Sequence, residues 1–364
     1  MRVCFIGKYQ PGSSMAGGIE KYADDLTSCG KADFKPIYFG NSKGNMPVKF
    51  TVLEAPFSSP KLFLETLSKT KSDIIHINIP NPFSEIMLLL HILLHGNRQK
   101  IVATYHADAP HYTLTSYFAD ALRMVWLMPL LMLSDKIIST SQRYAESSFA
   151  LRPFMNKVMV IPLGVDTKKV PIRKTVAMKS RNRKIIFIGR LYRYKGLDVL
   201  LDAFNEVAGK IDDVELFIVG TGPMKDMLVD MSKRLGIEDS VTFTDRLGEA
   251  EKNQLLKESD IFILPSVNRG EAFGVSQLDA MYFSKPVIST DINGSGVSFV
   301  NKDGKTGLVV EPNNPRQLAD AMIKLLKDDS LRMKMGVNGK KRVLRYFTRD
   351  IMVKKTLDVY KSLV

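Results

Sequence analysis

The feature that most constrains this chain is a regular alternation of short apolar runs with longer amphipathic ones. Residues 3–6, 36–39, 74–78, 101–104, 136–140 and 157–161 read as β-strands. Helical patterns fill the intervals at 18–30, 61–69, 83–95, 114–133 and 142–150. The scheme repeats with strands at 185–189, 215–219, 241–244, 260–264, 286–290 and 308–310. Helices fit at 196–208, 224–235, 249–258, 275–283 and 315–327, and two more, 330–346 and 350–363, follow. Such alternation packs as a parallel sheet with helices on both faces. A chain of 364 residues suits two such cores. The expected architecture is α/β. An N-terminal domain covers 1–166 and a basic, polar linker 167–184. A second domain covers 185–347, and a last helical segment 348–364. Ligands of open α/β sheets bind beyond the carboxyl ends of the strands, so a cleft between the two domains is the expected site.

Composition removes several classes. The content, 45% hydrophobic and 25% charged, is that of a folded globular protein. Cys4 and Cys29 make neither a metal spacing nor a disulfide framework, which fits a reducing cytoplasm. The apolar stretches 86–94 and 124–133 fall short of the roughly 20 residues of a spanning helix, and Pro129 interrupts the second. Net charge is +14, of which +5 lies in residues 1–160 and +9 in the rest. That charge favours phosphorylated ligands or anionic lipid. Nucleic acid is disfavoured, because no zinc spacing, aromatic RNA-binding motif or basic heptad accompanies the charge.

The residues after the strands carry the chemistry. Residues 264–291 run from an apolar strand through a polar loop to Glu271, Phe273-Gly274 and a helix carrying Asp279. The first N–H groups of a helix lack intrahelical partners and stand at its positive end, which makes an anion site. Glu271 adds an acceptor for hydroxyls beside it, and phosphate plus hydroxyls suggests a sugar nucleotide. Gly189-Arg190 ends another strand and Lys195-Gly196 opens the next helix, so a guanidinium and an ammonium could hold a diphosphate. Gly220-Thr221-Gly222-Pro223 follows the next strand, and Gly17-Gly18 stands at the first helix start. The first turn lacks the spaced glycines and the acid of a dinucleotide fingerprint. His106 follows a strand, whereas His76 lies within one and reads as core; His91, His95 and His111 form no metal set. There is no Asp-x-Asp pair, GxSxG elbow or Walker lysine pattern.

Five stretches, in this order, resemble the retaining GT-B glycosyltransferases of glycosyltransferase family 4. They are Gly17-Gly18-Ile19-Glu20, the turn 161–166, Gly189-Arg190 with Lys195-Gly196, Gly220-x-Gly222-Pro223, and Glu271-Ala272-Phe273-Gly274. The resemblance implies two Rossmann-like doubly wound domains facing a cleft, with the C-terminal helix crossing back to the N-terminal domain. It implies that Arg190 and Lys195 bind the donor diphosphate, Glu271 the donor-sugar hydroxyls, and the amides near Phe273, Gly274 and Val275 the sugar or phosphate. Gly17, Gly18, Gly189 and Gly220 would approach the nucleotide. His106 would sit near the transferring sugar, and Leu247 would border the base. The family's second acid, seven residues after the first, is commonly Glu and binds ribose; here it is Asp279, about 1.5 Å shorter in reach.

The implied reaction is transfer of a hexose, with retention, from a nucleotide-diphosphate sugar to a saccharide or lipid-linked acceptor in surface polysaccharide or glycolipid synthesis. GDP-mannose is the favoured donor. A UDP-hexose or UDP-N-acetylhexosamine donor, or a non-catalytic sugar-nucleotide-binding subunit of the same fold, is the alternative. No cofactor and no metal are expected, the nucleotide sugar being a substrate. The expected location is the cytoplasm, with peripheral contact at the inner face of an anionic membrane. The segment 123–133, with Trp126, reads either as a core helix or as the surface of that contact.

Overall fold

The computed structural model describes residues 1–13, 17–40, 44–52, 55–96, 99–108, 114–168 and 183–364. Two compact units divide the chain: Met1–Leu163 with Arg349–Val364, and Gly164–Thr348. Most of the expected linker, and His111, lie outside the described residues.

The first unit is built from β1 (Arg2–Tyr9), α1 (Gly18–Thr27), β2 (Asp33–Phe39), a hairpin of β3 (Phe50–Val52) and β4 (Ala55–Phe57), and α2 (Pro60–Lys69). It continues through β5 (Ile74–Ile79), α3 (Pro82–His95), β6 (Lys100–Tyr105), α4 (Leu114–Leu133), β7 (Lys136–Ser139), α5 (Gln142–Ser147) and β8 (Val158–Val160). Six parallel strands form its sheet in the order β2-β1-β5-β6-β7-β8. Every residue of β5 is buried, as a central strand covered on both faces requires. The C-terminal helix, Arg349–Lys361, packs in this unit. Its Tyr360 meets the His76 Nδ1 on β5, and Arg349 pairs with Asp25 of α1 at 3.2 Å.

The second unit contains β9 (Arg183–Ile188), α6 (Leu197–Ala208), β10 (Val214–Val219), α7 (Lys225–Arg234), β11 (Val241–Thr244), α8 (Glu249–Glu258) and β12 (Ile261–Leu264). It ends with α9 (Val275–Tyr282), β13 (Val287–Thr290), α10 (Val297–Val300), β14 (Gly307–Val310), α11 (Pro315–Lys327) and α12 (Asp329–Tyr346). Its parallel sheet has the order β11-β10-β9-β12-β13-β14.

Each sheet reverses its order once, at β1/β5 and at β9/β12. With right-handed crossovers, the helices leaving the two strands of such a pair lie on opposite faces. A crevice then opens at their carboxyl ends. That position supplies both groups of candidate residues.

Pro129 does not break α4, which runs unbroken from Leu114 to Leu133. The N–H that proline lacks would have bonded the Val125 carbonyl, and Val125 lies on the exposed side of the helix, so that acceptor is not shut inside the core. The hairpin, α10 and a cis Ile79–Pro80 bond were not expected from the sequence.

Candidate functional site

In the second unit the two strands at the reversal each carry half of a charged pair. After β9, Gly189 and Arg190 lead into a single 3-10 turn, Arg193–Lys195, and Lys195 precedes α6. After β12, a loop leads to Glu271 and α9. The Val267 N–H donates to the Tyr194 carbonyl at 2.8 Å, tying the loops together. Lys195 Nζ then donates to Glu271 Oε2, both residues being 8% exposed.

Glu271 is held on every side. Its Oε2 also accepts from Ser266 Oγ at 3.1 Å, and its Oε1 from the Gly274 N–H at 3.1 Å. Ser295 Oγ donates to its backbone carbonyl at 2.5 Å. A carboxylate offers about four lone-pair sites, so roughly one on Oε1 remains for a ligand hydroxyl. Lys195 has three donors, and one faces Glu271. Burial works against the ammonium charge, but the Glu271 carboxylate outweighs it and raises the lysine pKa. Lys195 therefore remains a cation.

Gly274 opens α9 at φ 74°, a left-handed conformation that favours glycine. A Cβ there would lie 2.6 Å from both Leu264 Cδ2 and Gln277 Nε2. The turn presents the Val275 and Ser276 amides at the helix start, where they have no intrahelical acceptor. Phe273 is buried, in edge contact with Phe347. Arg190 is exposed, its guanidinium 4.9 Å from the centre of the Tyr192 ring.

Gly220 answers to its neighbour in the fold. Its φ is 144°, and a Cβ would come within 1.9 Å of the Gly189 carbonyl oxygen. The loops after β9 and β10 thus pack backbone to backbone, which accounts for this glycine without a ligand.

Asp279, one methylene shorter than expected, has a cation beside it. Lys252 of α8 donates to its Oδ2 at 3.0 Å and to Glu249 Oε1 at 2.9 Å. Both Asp279 and Lys252 side chains are largely buried. Leu247, between β11 and α8, lines a surface groove of about 500 Å³ with Phe217, Thr244 and Leu255.

The first unit places its candidates at the carboxyl ends of β1, β5 and β6. Gly17 caps α1, with its N–H donating to Glu20 Oε2 at 2.7 Å, and Gly18 begins the helix. His106 follows β6 and is 5% exposed. Its Nε2 lies 3.2 Å from Asn78 Oδ1, and its buried Nδ1 has no hydrogen-bond partner among the described residues. Burial lowers its pKa to about 3, so the imidazole is neutral. His76 is core, bonded through Nε2 to Thr104 Oγ1 at 2.7 Å. Asn78 and Asn81, also buried, were not singled out from the sequence. Their positions at the end of β5 were the available signal. Among the described residues, no three His, Cys, Asp or Glu side chains are grouped to hold a metal ion.

Comparison with known proteins gives the family and the fold. Residues 169–342 match the family model "Glycosyl transferases group 1", and residues 30–169 match "Glycosyltransferase Family 4". The O-antigen chain mannosyltransferase C of Escherichia coli is 30% identical over 323 residues, covering 86% of this chain and 82% of that protein. The D-rhamnosyltransferase WbpZ of Pseudomonas aeruginosa is 32% identical over 283 residues, covering 76% and 70%. Among solved structures, Anabaena HepE in complex with UDP and glucose superposes with a TM-score of 0.79 over the full length of both chains at 17% identity, a likeness of fold. Two parallel α/β units with this match make the fold GT-B, and the chain belongs to the group 1 glycosyltransferases of family 4 type.

Proposed function

We propose that this glycosyltransferase moves a hexose, with retention of anomeric configuration and without a metal, from a nucleotide-diphosphate sugar to a saccharide or lipid-linked acceptor. The observation that carries the reading is the buried Lys195–Glu271 pair at the strand reversal of the second unit, beside the start of α9. It sets a fixed cation next to a nearly saturated carboxylate, which suits a diphosphate next to a sugar hydroxyl. GDP-mannose is the donor we favour, because the O-antigen relative is a mannosyltransferase. A UDP-hexose donor is the second reading, favoured by the UDP and glucose bound in the HepE structure.

In the proposed step the bond between the anomeric carbon and the diphosphate oxygen breaks. The acceptor oxygen bonds to that carbon on the same face, and its proton passes to the departing phosphate. Arg190, Lys195 and the first amides of α6 and α9 stabilise the charge growing on the diphosphate. The neutral His106 offers a hydrogen bond to the sugar, and Asp279 accepts from the ribose. The acceptor lies against the first unit, and contact with an anionic membrane brings lipid-linked acceptors within reach.

Arg190→Ala and Lys195→Ala should each lower kcat about 100-fold or more, as loss of a transition-state charge partner does, with the fold intact by circular dichroism. Near-normal turnover in both would sink the reading. Thermal-shift titration with GDP- and UDP-sugars separates the two donors, since a ligand of the folded state raises Tm with concentration. EDTA should leave the rate unchanged.

A further inference from the structure

Helix α4 is apolar on two opposite sides. Leu127, Leu130 and Leu131 are fully buried against the first unit. Phe118, Leu122, Val125 and Met132 recur at helical spacing on the other side and are 74%, 52%, 69% and 60% exposed. Helix α3 packs beside it and leaves Leu93 and Leu94 69% and 68% exposed.

The charged side chains of the two helices do nothing to relieve this face. Glu85 takes a two-pronged bond from Arg123, at 2.8 and 3.0 Å, and both are buried. Asp120 lies 3.7 Å from the same guanidinium. Trp126 turns its indole N–H to Glu85 Oε2 at 3.3 Å, so the polar edge of its ring faces the buried pair. Apart from His95 at its end, the described exposed residues of the pair present a face of uncharged side chains. A helix apolar all round belongs inside a core or against lipid, and a large exposed apolar patch marks an interaction surface.

Charge selects the occupant. The chain carries +14 overall, and +5 within residues 1–160. Lys100, Lys136 and Lys157 stand at the amino ends of β6, β7 and β8, beside the C-terminal ends of α3 and α4, and outnumber Asp135, which pairs with Lys100 at 3.1 Å. Lys157 itself donates to the carbonyls of Met132 and Ser134. Two copies joined by this face would bring like-charged rims together, whereas an anionic bilayer accepts both the apolar face and the basic rim.

We infer that the α3–α4 face docks the chain on an anionic lipid bilayer. Its leucines, Phe118, Val125 and Met132 enter the boundary between headgroups and acyl chains, and the lysine rim meets the headgroup phosphates. The inference rests on the membrane contact proposed above and assigns it a surface.

The test is co-sedimentation of the full chain with phosphatidylcholine vesicles, with and without about one-third phosphatidylglycerol. Leu94→Glu and Val125→Glu are compared with the parent chain. The parent should bind the phosphatidylglycerol vesicles, more weakly as salt rises. Each variant should bind about tenfold more weakly or worse, since it replaces a buried apolar contact by a charge. Because both positions are exposed, Tm and transfer to a water-soluble acceptor should stay unchanged. Parent-like binding by both variants would overturn the assigned face while leaving the membrane contact standing. Absence of parent binding would overturn both. A dimer that Val125→Glu splits, with no vesicle binding, would show a second copy to be the occupant.

Discussion

Lys195 and Glu271 act as one unit, and that sets what single substitutions at the site will do. Glu271→Ala leaves an ammonium buried and unpaired, which costs about 3–5 kcal/mol, whereas replacing both partners by methionine should cost less than either single change. Urea unfolding of the two single variants and the double variant tests this; additive losses would refute the coupling. Asp279 makes a finer point. With Lys252 at 3.0 Å, its short side chain is aimed by a neighbour on another helix. Lys252→Met should therefore raise the donor KM about fivefold to tenfold with kcat little changed, the mark of lost ground-state binding. An unchanged KM would leave Lys252 a purely structural partner.

Among the elements, the C-terminal helix is tied to the first unit by side chains as well as apolar packing. Tyr360 bonds to His76, which bonds to Thr104, which pairs with Tyr22 of α1 at 3.1 Å. Tyr360→Phe strips His76 Nδ1 of its partner inside a closed core, a loss of about 1–3 kcal/mol in unfolding free energy. A variant as stable as the parent would show that packing alone holds the helix. The helix itself was legible in the sequence, as were most strands and helices, because periodicity is local and strands buried on both faces are continuously apolar. Three-residue strands such as Phe50–Val52 and Ala55–Phe57 are too short to show a period. The pairings were not legible for another reason. Lys195 and Glu271 are 76 residues apart, and His76 and Tyr360 are 284 apart; only the sheet order brings them together. The sequence could rank Arg190, Lys195 and Glu271 as candidates by their places after strands. It could not reveal that two of them pair with each other, or that Lys252 would attend Asp279.

On the scale of the whole molecule, the histidines are divided unevenly. All five lie within residues 1–163, in the first unit, and the second has none. His76 and His106 are buried there, and burial lowers each pKa from 6.5 to about 3, with repulsion from His106 adding to the effect at His76. Unfolding returns each to its ordinary value, so the unfolded chain binds more protons below pH 6.5. The stability these neutral rings contribute is complete above that pH and declines as pH falls from 6.5 toward 3. By pH 5.5 the loss amounts to about 1.4 kcal/mol per histidine, before the ordinary carboxylates begin to titrate. The single tryptophan, Trp126, sits in the same unit, so its fluorescence reports on that unit alone. Its urea midpoint should fall between pH 7.5 and pH 5.5, and His76→Gln and His106→Gln should each flatten the dependence, with His91, whose pKa burial also lowers, supplying part of what remains. The second unit has no histidine to drive a parallel fall. A Trp126 midpoint that stays level over this range, or variants with the parent's slope, would show that the buried rings do not govern the acid sensitivity of the first unit.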